Sequence, residues 1–391
     1  MKQQTIWIMT GESSGDFYGA EIAKAIFKQR PGTIIRGMGS HHMRDAGVDL
    51  FVDSSELGVM GFIEVFALLG TFVRLYFDCI RRAKEERPDI VLMIDYPGFN
   101  MRLGKQLAKL GIPVVWYISP QVWAWRKSNI PKFAAFCKRM MVIFPFEPDV
   151  WKNSGLDVIF TGHPLIEIVK QRTDSTLQRD PNRLLILPGS RHGETSRLLV
   201  PFLQTALILH RRHPALKFAI ATPREKVFND VQAIVAEFRK NHPELNELTL
   251  EISCHDTARQ QQLCIAGLAA SGTVTVESAI ADLPLVSAYR LNPVTFVLAV
   301  ILIRKLFRNA FTMVNIILNR KTFEEFLQMQ VRPQALANAV DRILPGGSRR
   351  EEVMCDMAEL RRELTCGSES ATVNAANALL EVLDKTTTSP A

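Results

Sequence analysis

Short apolar runs rich in β-branched residues recur along this chain, each followed by a stretch with apolar residues at helical spacing. That alternation leaves room for little besides parallel sheets covered by helices. In the first half the runs are Thr5–Thr10, Thr33–Arg36, Asp89–Asp95, Pro113–Ile118, Met140–Phe144 and Val158–Thr161, with helical spacing over Gly15–Gln29 and Gly61–Lys84. The alternation stops over a polar stretch from Lys170 to Pro181 and restarts at Arg183–Leu187. A helix striped by Leu198, Phe202, Ala206 and Leu209 follows, then strands at Lys217–Ala221, Leu248–Ile252 and Cys264–Ala270, with a helix at Arg224–Lys240. The expectation is an α/β chain of two doubly wound, Rossmann-like parallel-sheet domains, 1–169 and 183–347, joined by a linker at 170–182. The helices from about 348 to 384 are expected to pack back on the first domain. Such sheets bind ligands at the carboxyl ends of their strands, so a cleft between the domains is the expected site.

Composition narrows the partner. Hydrophobic residues make up 47% and charged residues 22%, which excludes disorder and a multi-span membrane protein. Lys and Arg outnumber Asp and Glu by 47 to 40, a net +7 that favours phosphates or an acidic membrane surface but is spread too thinly to argue for nucleic acid. The six cysteines form no C-x-x-C pair and no zinc spacing, and His41, His42, His210 and His213 form no H-E-x-x-H motif, so no protein-built metal site is expected. The apolar run Ile6–Met9 is too short for a signal-peptide core, which points to the cytoplasm.

The chemistry should lie at strand-to-helix joints, where unpaired amides and the positive end of the helix dipole favour phosphate or polar sugar groups. Gly11-Glu12-Ser13-Ser14-Gly15-Asp16 is the first joint. It is not G-x-G-x-x-G and has no acid placed for a ribose, so a nicotinamide cofactor is disfavoured and no cofactor is expected. The plainer reading makes Ser13 or Ser14 an N-cap. Asp95 ends an apolar strand and can take a proton from an attacking hydroxyl; alternatively it only holds the turn before Pro97. Trp123 and Trp125 flank Ala124 in a strand-end loop, suited to stacking on sugar or acyl chains, or to core packing. In the second half, Gly189-Ser190-Arg191 opens a helix with a planar donor for pyrophosphate. Ser271-Gly272-Thr273 opens another, and Glu277, one turn in, can accept two ribose hydroxyls or merely complement the dipole. His163, in Thr161-Gly162-His163-Pro164, reads as a hinge histidine held by backbone more readily than as a ligand contact.

These blocks, together with Val59-Met60-Gly61-Phe62-Ile63-Glu64-Val65, Ile94-Asp95-Tyr96-Pro97-Gly98-Phe99-Asn100, Phe144-Pro145-Phe146-Glu147 and Leu187-Pro188-Gly189-Ser190-Arg191, stand in an order that resembles the lipid-A-disaccharide synthase family from end to end. That family comprises inverting glycosyltransferases of the two-Rossmann GT-B fold. The resemblance implies transfer from UDP-2,3-diacylglucosamine to 2,3-diacylglucosamine 1-phosphate (lipid X), giving lipid A disaccharide 1-phosphate and UDP without a metal. It places the base on Asp95, a loop facing the acceptor or the reacting sugar on Gly11 to Asp16, and UDP contacts on Gly189, Ser190, Arg191, Ser271, Gly272, Thr273, Glu277 and Asn315. At the last of these the chain departs from the family pattern, reading Thr312-Met313-Val314-Asn315 where Pro often precedes the asparagine.

Two apolar stretches remain. Gly58–Phe77 has only Glu64 and Arg74 as charges, and Val294–Ile303 is a ten-residue apolar run, against about 20 needed to span a bilayer. Lying on an anionic inner-membrane surface is the expectation, through Phe66, Leu69, Phe72, Val73 and Phe77 beside Arg74, Arg81 and Arg82, and through Val297, Leu298 and Ile301 beside Arg304, Lys305 and Arg308. The plainer reading is two core helices. Rival functions are another GT-B UDP-sugar enzyme, such as a UDP-N-acetylglucosamine epimerase or the peptidoglycan N-acetylglucosaminyltransferase, or a non-catalytic nucleotide-sugar-binding protein of the membrane surface. A homodimer is left open.

Overall fold

The computed structural model describes residues 3–55, 69–125, 127–292 and 310–388. Contacts divide the chain into two units, residues 1–164 with 364–391, and residues 165–363.

The first unit holds a seven-stranded parallel sheet of order β3-β2-β1-β4-β5-β6-β7. Its strands are β1 (Thr5–Met9), β2 (Ile34–Gly39), β3 (Asp49–Asp53), β4 (Ile90–Ile94), β5 (Val114–Tyr117), β6 (Cys137–Val142) and β7 (Asp157–Phe160). All five residues of β4, Ile-Val-Leu-Met-Ile, are buried, as a central parallel strand covered on both faces requires. Trp7, Met9, Val91, Met93, Trp116 and Met140 build one face of the core with Phe133 and Trp151. Strand order reverses between β1 and β4, so the loops leaving those two strands flank the crevice where a doubly wound sheet takes ligand. Those loops begin at Thr10 and Asp95.

The second unit repeats the plan with six strands in the order β10-β9-β8-β11-β12-β13. They are β8 (Arg183–Leu187), β9 (Lys217–Thr222), β10 (Leu250–Cys254), β11 (Ala266–Ala270), β12 (Leu285–Tyr289) and β13 (Glu324–Leu327). Its reversal lies between β8 and β11, whose loops carry Gly189–Arg191 and Ser271–Thr273. Both pairs of motifs thus sit at a switch point.

The boundary falls after Pro164 instead of after residue 169, and the polar stretch read as a linker packs with the second unit. The physical reason is Arg179, whose guanidinium donates to the carbonyls of Gln261, Cys264 and Ala281 and so seats an otherwise polar segment. Asp174 adds a backbone donation to Gln262 at 2.7 Å. The C-terminal helices also part company. Helix Arg350–Glu363 lies in the second unit, tied by Arg361 to Asp282, whereas helix Ala371–Thr388 lies in the first. There the buried Arg139 of β6 donates to Asp157 at 2.7 Å, to Glu381 at 2.5 Å and to the Ala378 carbonyl at 3.0 Å. Arg30 completes the seam with a two-pronged bond to Asp384 at 2.8 and 2.6 Å.

Candidate active site

In the first unit two loops meet. Gly11 follows β1 and lies against the ring of Tyr96, so closely that a Cβ at Gly11 would stand 2.5 Å from the ring. Asp95 and Tyr96 both adopt positive φ, 44° and 53°, which turns the chain sharply from β4 into helix Pro97–Lys109. Asn100 pays for part of that strain: its buried Nδ2 donates to the carbonyls of Asp95, Met9 and Ile94 at 2.9, 3.2 and 3.3 Å, tying the ends of β1 and β4 together. The Asp95 carboxyl sits half-buried above this knot. Burial, reinforced by the like charge of Glu12, pushes its pKa up to about 6.

Within the first loop the side chains divide. Glu12, Ser13 and Ser14 are exposed, and the N-cap of helix Ser13–Gln29 is Glu12, without a side-chain capping bond, so neither serine caps it. Asp16 turns the other way. Its carboxylate is wholly buried and accepts the backbone N–H groups of Ser40, His42 and Met43 at 2.6, 3.0 and 3.3 Å. That engagement corrects the expectation that Asp16 faces the acceptor or the reacting sugar: it anchors the loop to the start of helix His41–Asp45.

Beyond Asp95, the ends of β5 and β6 carry a second buried acid. Glu147 accepts from the backbone of Phe144 at 3.0 Å and of Ile143 at 3.3 Å, and burial pushes its carboxyl up to about 7. Trp151 donates to Ser119 at 3.2 Å beside it. Trp123 packs edge-on against Phe146 at 5.3 Å, and Phe146 in turn stacks on Phe144 at 5.8 Å; the side chains of Ala124 and Trp125 lie outside the described residues. His163 is buried, its pKa is driven down to about 3 by desolvation, and its ring packs on Phe144 at 5.2 Å. With its backbone N–H donating to Leu364, it belongs to the fold at the unit boundary.

The second unit contains a cavity of about 740 Å³ whose lining includes Gly189, Ser190, Ser271, Gly272, Thr273 and Glu277. Six residues picked from two separate joints therefore converge. Gly189 has φ +122°, a conformation that favours glycine, and a Cβ there would meet Glu194 at 2.7 Å. Glu194 accepts the Ser190 N–H at 3.1 Å. Ser271 has given its own N–H to Ala288 in the sheet at 3.1 Å, so the joint offers the amides of Gly272 and of the first residues of helix Thr273–Ile280, together with hydroxyls. Arg191, N-cap of helix His192–Arg212, is 79% exposed at its side chain and 4.0 Å from Glu194, outside the cavity lining but at its edge in sequence.

Asn315 is placed elsewhere. Its buried amide donates to the Phe323 carbonyl at 2.8 Å and accepts the Phe323 N–H at 2.9 Å, so it pins the approach to β13 and does not line the cavity. Conversely, the cavity includes Arg172, Glu194 and His255, which motif reasoning missed. Arg172 comes from the end of helix Leu165–Arg172, and no spacing in the sequence relates it to Glu277, 105 residues away.

Among the described residues, two trios could present three ligand atoms to a cation. In Asp16, His41 and His42 the carboxylate is already engaged by three amides; Glu225, Cys254 and His255 stand beside the ends of β9 and β10.

Of the apolar residues expected at a membrane, Val73 and Phe77 are exposed, at 48% and 62%, one helical turn apart on helix Leu69–Glu86. Phe72 is corrected: it packs against the core, 6.5 Å from Phe99. Phe66, Val297, Leu298, Ile301 and the side chain of Leu69 lie outside the described residues. Among the described residues no helix is long and apolar enough to cross a membrane.

A family model described as lipid-A-disaccharide synthetase matches residues 6–379. Lipid-A-disaccharide synthases of Geobacter metallireducens, Koribacter versatilis and Coxiella burnetii are 32, 34 and 32% identical over 387, 390 and 384 residues; the matches cover 97, 97 and 95% of this chain and 97, 99 and 97% of those proteins. Among solved structures, the S. aureus MnaA-UDP co-structure superposes with a TM-score of 0.66 at 12% identity, covering 100% of this chain and 99% of the other. The UDP-GlcNAc 2-epimerase from Neisseria meningitidis bound to UDP-GlcNAc does so at 0.60 and 12%, covering 98% and 100%. At such identity the structural likeness speaks for the fold alone, which separates these two structures from the sequence relatives. Because the sequence relationship runs through both units, from β1 into the last helix, the chain belongs to the lipid-A-disaccharide synthase family, glycosyltransferases of the GT-B fold.

Proposed function

We propose that the protein transfers 2,3-diacylglucosamine from its UDP donor to the primary hydroxyl of 2,3-diacylglucosamine 1-phosphate, releasing UDP and lipid A disaccharide 1-phosphate. The observation that carries this reading is the family relationship across residues 6–379, joined to an acid, Asp95, at the switch point of the first sheet. In the proposed step the acceptor oxygen attacks the anomeric carbon, its proton passes to Asp95, and the bond to the β-phosphate oxygen breaks on the opposite face, so the configuration inverts. A pKa near 6 leaves Asp95 ionised at neutral pH yet basic enough to help, a contribution of about 10² to 10⁴ in rate.

The second unit would hold UDP. Glu277 would accept the ribose hydroxyls, while Ser190, Gly272 and Thr273 offer donors near the helix starts, where charge building on the leaving diphosphate is stabilised. Arg191, free to swing from its 4.0 Å approach to Glu194, would meet the same charge. A diphosphate there takes the Ser190 N–H that Glu194 now accepts. The test is direct: purified protein given both lipid substrates should yield UDP and the disaccharide by mass spectrometry. UDP release without a disaccharide, or neither product, overturns the assignment.

Docking on an anionic membrane belongs to the same reading, because both lipid substrates carry acyl chains. Val73 and Phe77 are apolar side chains exposed on helix Leu69–Glu86, and Arg74 and Arg81 are exposed on the same helix. Cations near such a surface contribute roughly 1 kcal/mol each and are screened by salt, whereas apolar insertion is not. Co-sedimentation with anionic vesicles should therefore weaken but persist at high salt, and Val73→Ser with Phe77→Ser should remove most of it without lowering the melting temperature. Unchanged vesicle binding by that double variant would exclude this helix as the docking surface.

A further inference from the structure

We infer that Arg172 is a positioning residue of the nucleotide site, holding the Glu277 carboxylate turned to receive the ribose diol of a uridine nucleotide. The inference rests on the reading of Glu277 as the ribose acceptor. Arg172 Nη1 lies 3.3 Å from Glu277 Oε1, and both residues line the same cavity. The two come from different helices, Leu165–Arg172 and Thr273–Ile280, so the pair exists only in the folded unit.

The guanidinium is presented from a firm base. Gln262 donates to the Arg172 carbonyl at 3.0 Å and accepts the Asp174 N–H at 2.7 Å, while Thr173 closes the helix end on Val169 at 2.8 Å. Glu277 is far more enclosed than its partner, 17% exposed at the side chain against 56%. Burial pushes the Glu277 carboxyl upward, and Arg172 pulls against that shift. The consequence concerns acceptor capacity. An ionised carboxylate accepts at both oxygens, and with one lone pair of Oε1 engaged by Arg172 it still has room for two hydroxyls; a protonated or rotated one has lost part of that room. As a plain fold contact, an ion pair with one partner more than half exposed contributes little, so a purely structural role predicts almost no phenotype.

Binding of UDP and 2′-deoxy-UDP, measured by calorimetry, separates the possibilities. Wild type should prefer UDP by about tenfold or more, the scale of a hydrogen bond to a charged group. Arg172→Met should lose most of that preference while binding 2′-deoxy-UDP nearly as wild type does and melting at the same temperature, and Arg172→Lys should recover part of it. Full discrimination in Arg172→Met, or an equal loss for both nucleotides, overturns the positioning role. Glu277→Gln isolates the underlying reading: if wild type and Glu277→Gln discriminate alike, the ribose assignment of Glu277 fails, and the role of Arg172 with it. If Glu277→Gln loses discrimination and Arg172→Met keeps it, the inference alone fails.

Discussion

Asp95→Asn should lower turnover by about 10² or more while leaving UDP affinity nearly unchanged, because a general base acts in the transition state and takes no part in holding the nucleotide. The half-buried site adds a pH signature. With the carboxyl raised to about 6, the base form is lost as pH falls through that value, so turnover should drop roughly tenfold per unit below it. Glu12→Gln removes the like charge that helps raise Asp95, and the acid limb should move to lower pH. Stability runs in the opposite sense. A carboxyl whose folded pKa exceeds its unfolded value weakens the fold as pH rises from about 4 to 6, and the penalty persists at neutral pH. Asp95→Asn should consequently melt no lower than wild type at pH 7. Near-normal turnover in a folded Asp95→Asn protein would remove Asp95 from the mechanism.

Arg191→Ala should weaken UDP by about tenfold to a hundredfold while sparing uridine, since a charge-assisted bond to phosphate is worth roughly 1.5–3 kcal/mol and uridine has no phosphate to lose. The side chain is 79% exposed and its nearest acid is 4.0 Å away, so its removal should leave the melting temperature alone. Equal losses for uridine and UDP would refute the assignment to phosphate. Glu277→Ala should weaken both ligands, because ribose is common to them. Calorimetry on the two variants with the two ligands therefore divides the cavity into a sugar end and a phosphate end.

Both switch points were legible in the sequence because their marks are local. An apolar β-branched run, then a glycine-rich joint, then helical spacing is written in consecutive residues, and Gly11–Asp16, Asp95, Gly189–Arg191 and Ser271–Glu277 all stand at such joints. Three of the described strands escaped. Edge strand β13, Glu-Glu-Phe-Leu, is too short and polar to stand out; β3, Asp-Leu-Phe-Val-Asp, is only half-buried at the other sheet's edge; and the buried β12 offers five residues with no polar alternation.

What the sequence determined by itself is the pair of doubly wound sheets and the joints at which chemistry can occur, because periodicity and turn chemistry act over a few neighbouring residues. What only the tertiary structure decided is the use of each polar side chain. Asp16 lies in the first strand-to-helix loop but commits its carboxylate to the amides of Ser40, His42 and Met43; Asn315 commits its amide to Phe323; Phe72 faces the core while Val73 and Phe77 face outward. Arg172 reaches Glu277 across 105 residues. A buried polar group must find a partner wherever the fold brings one, and that partner is set by three-dimensional proximity, which no local pattern encodes.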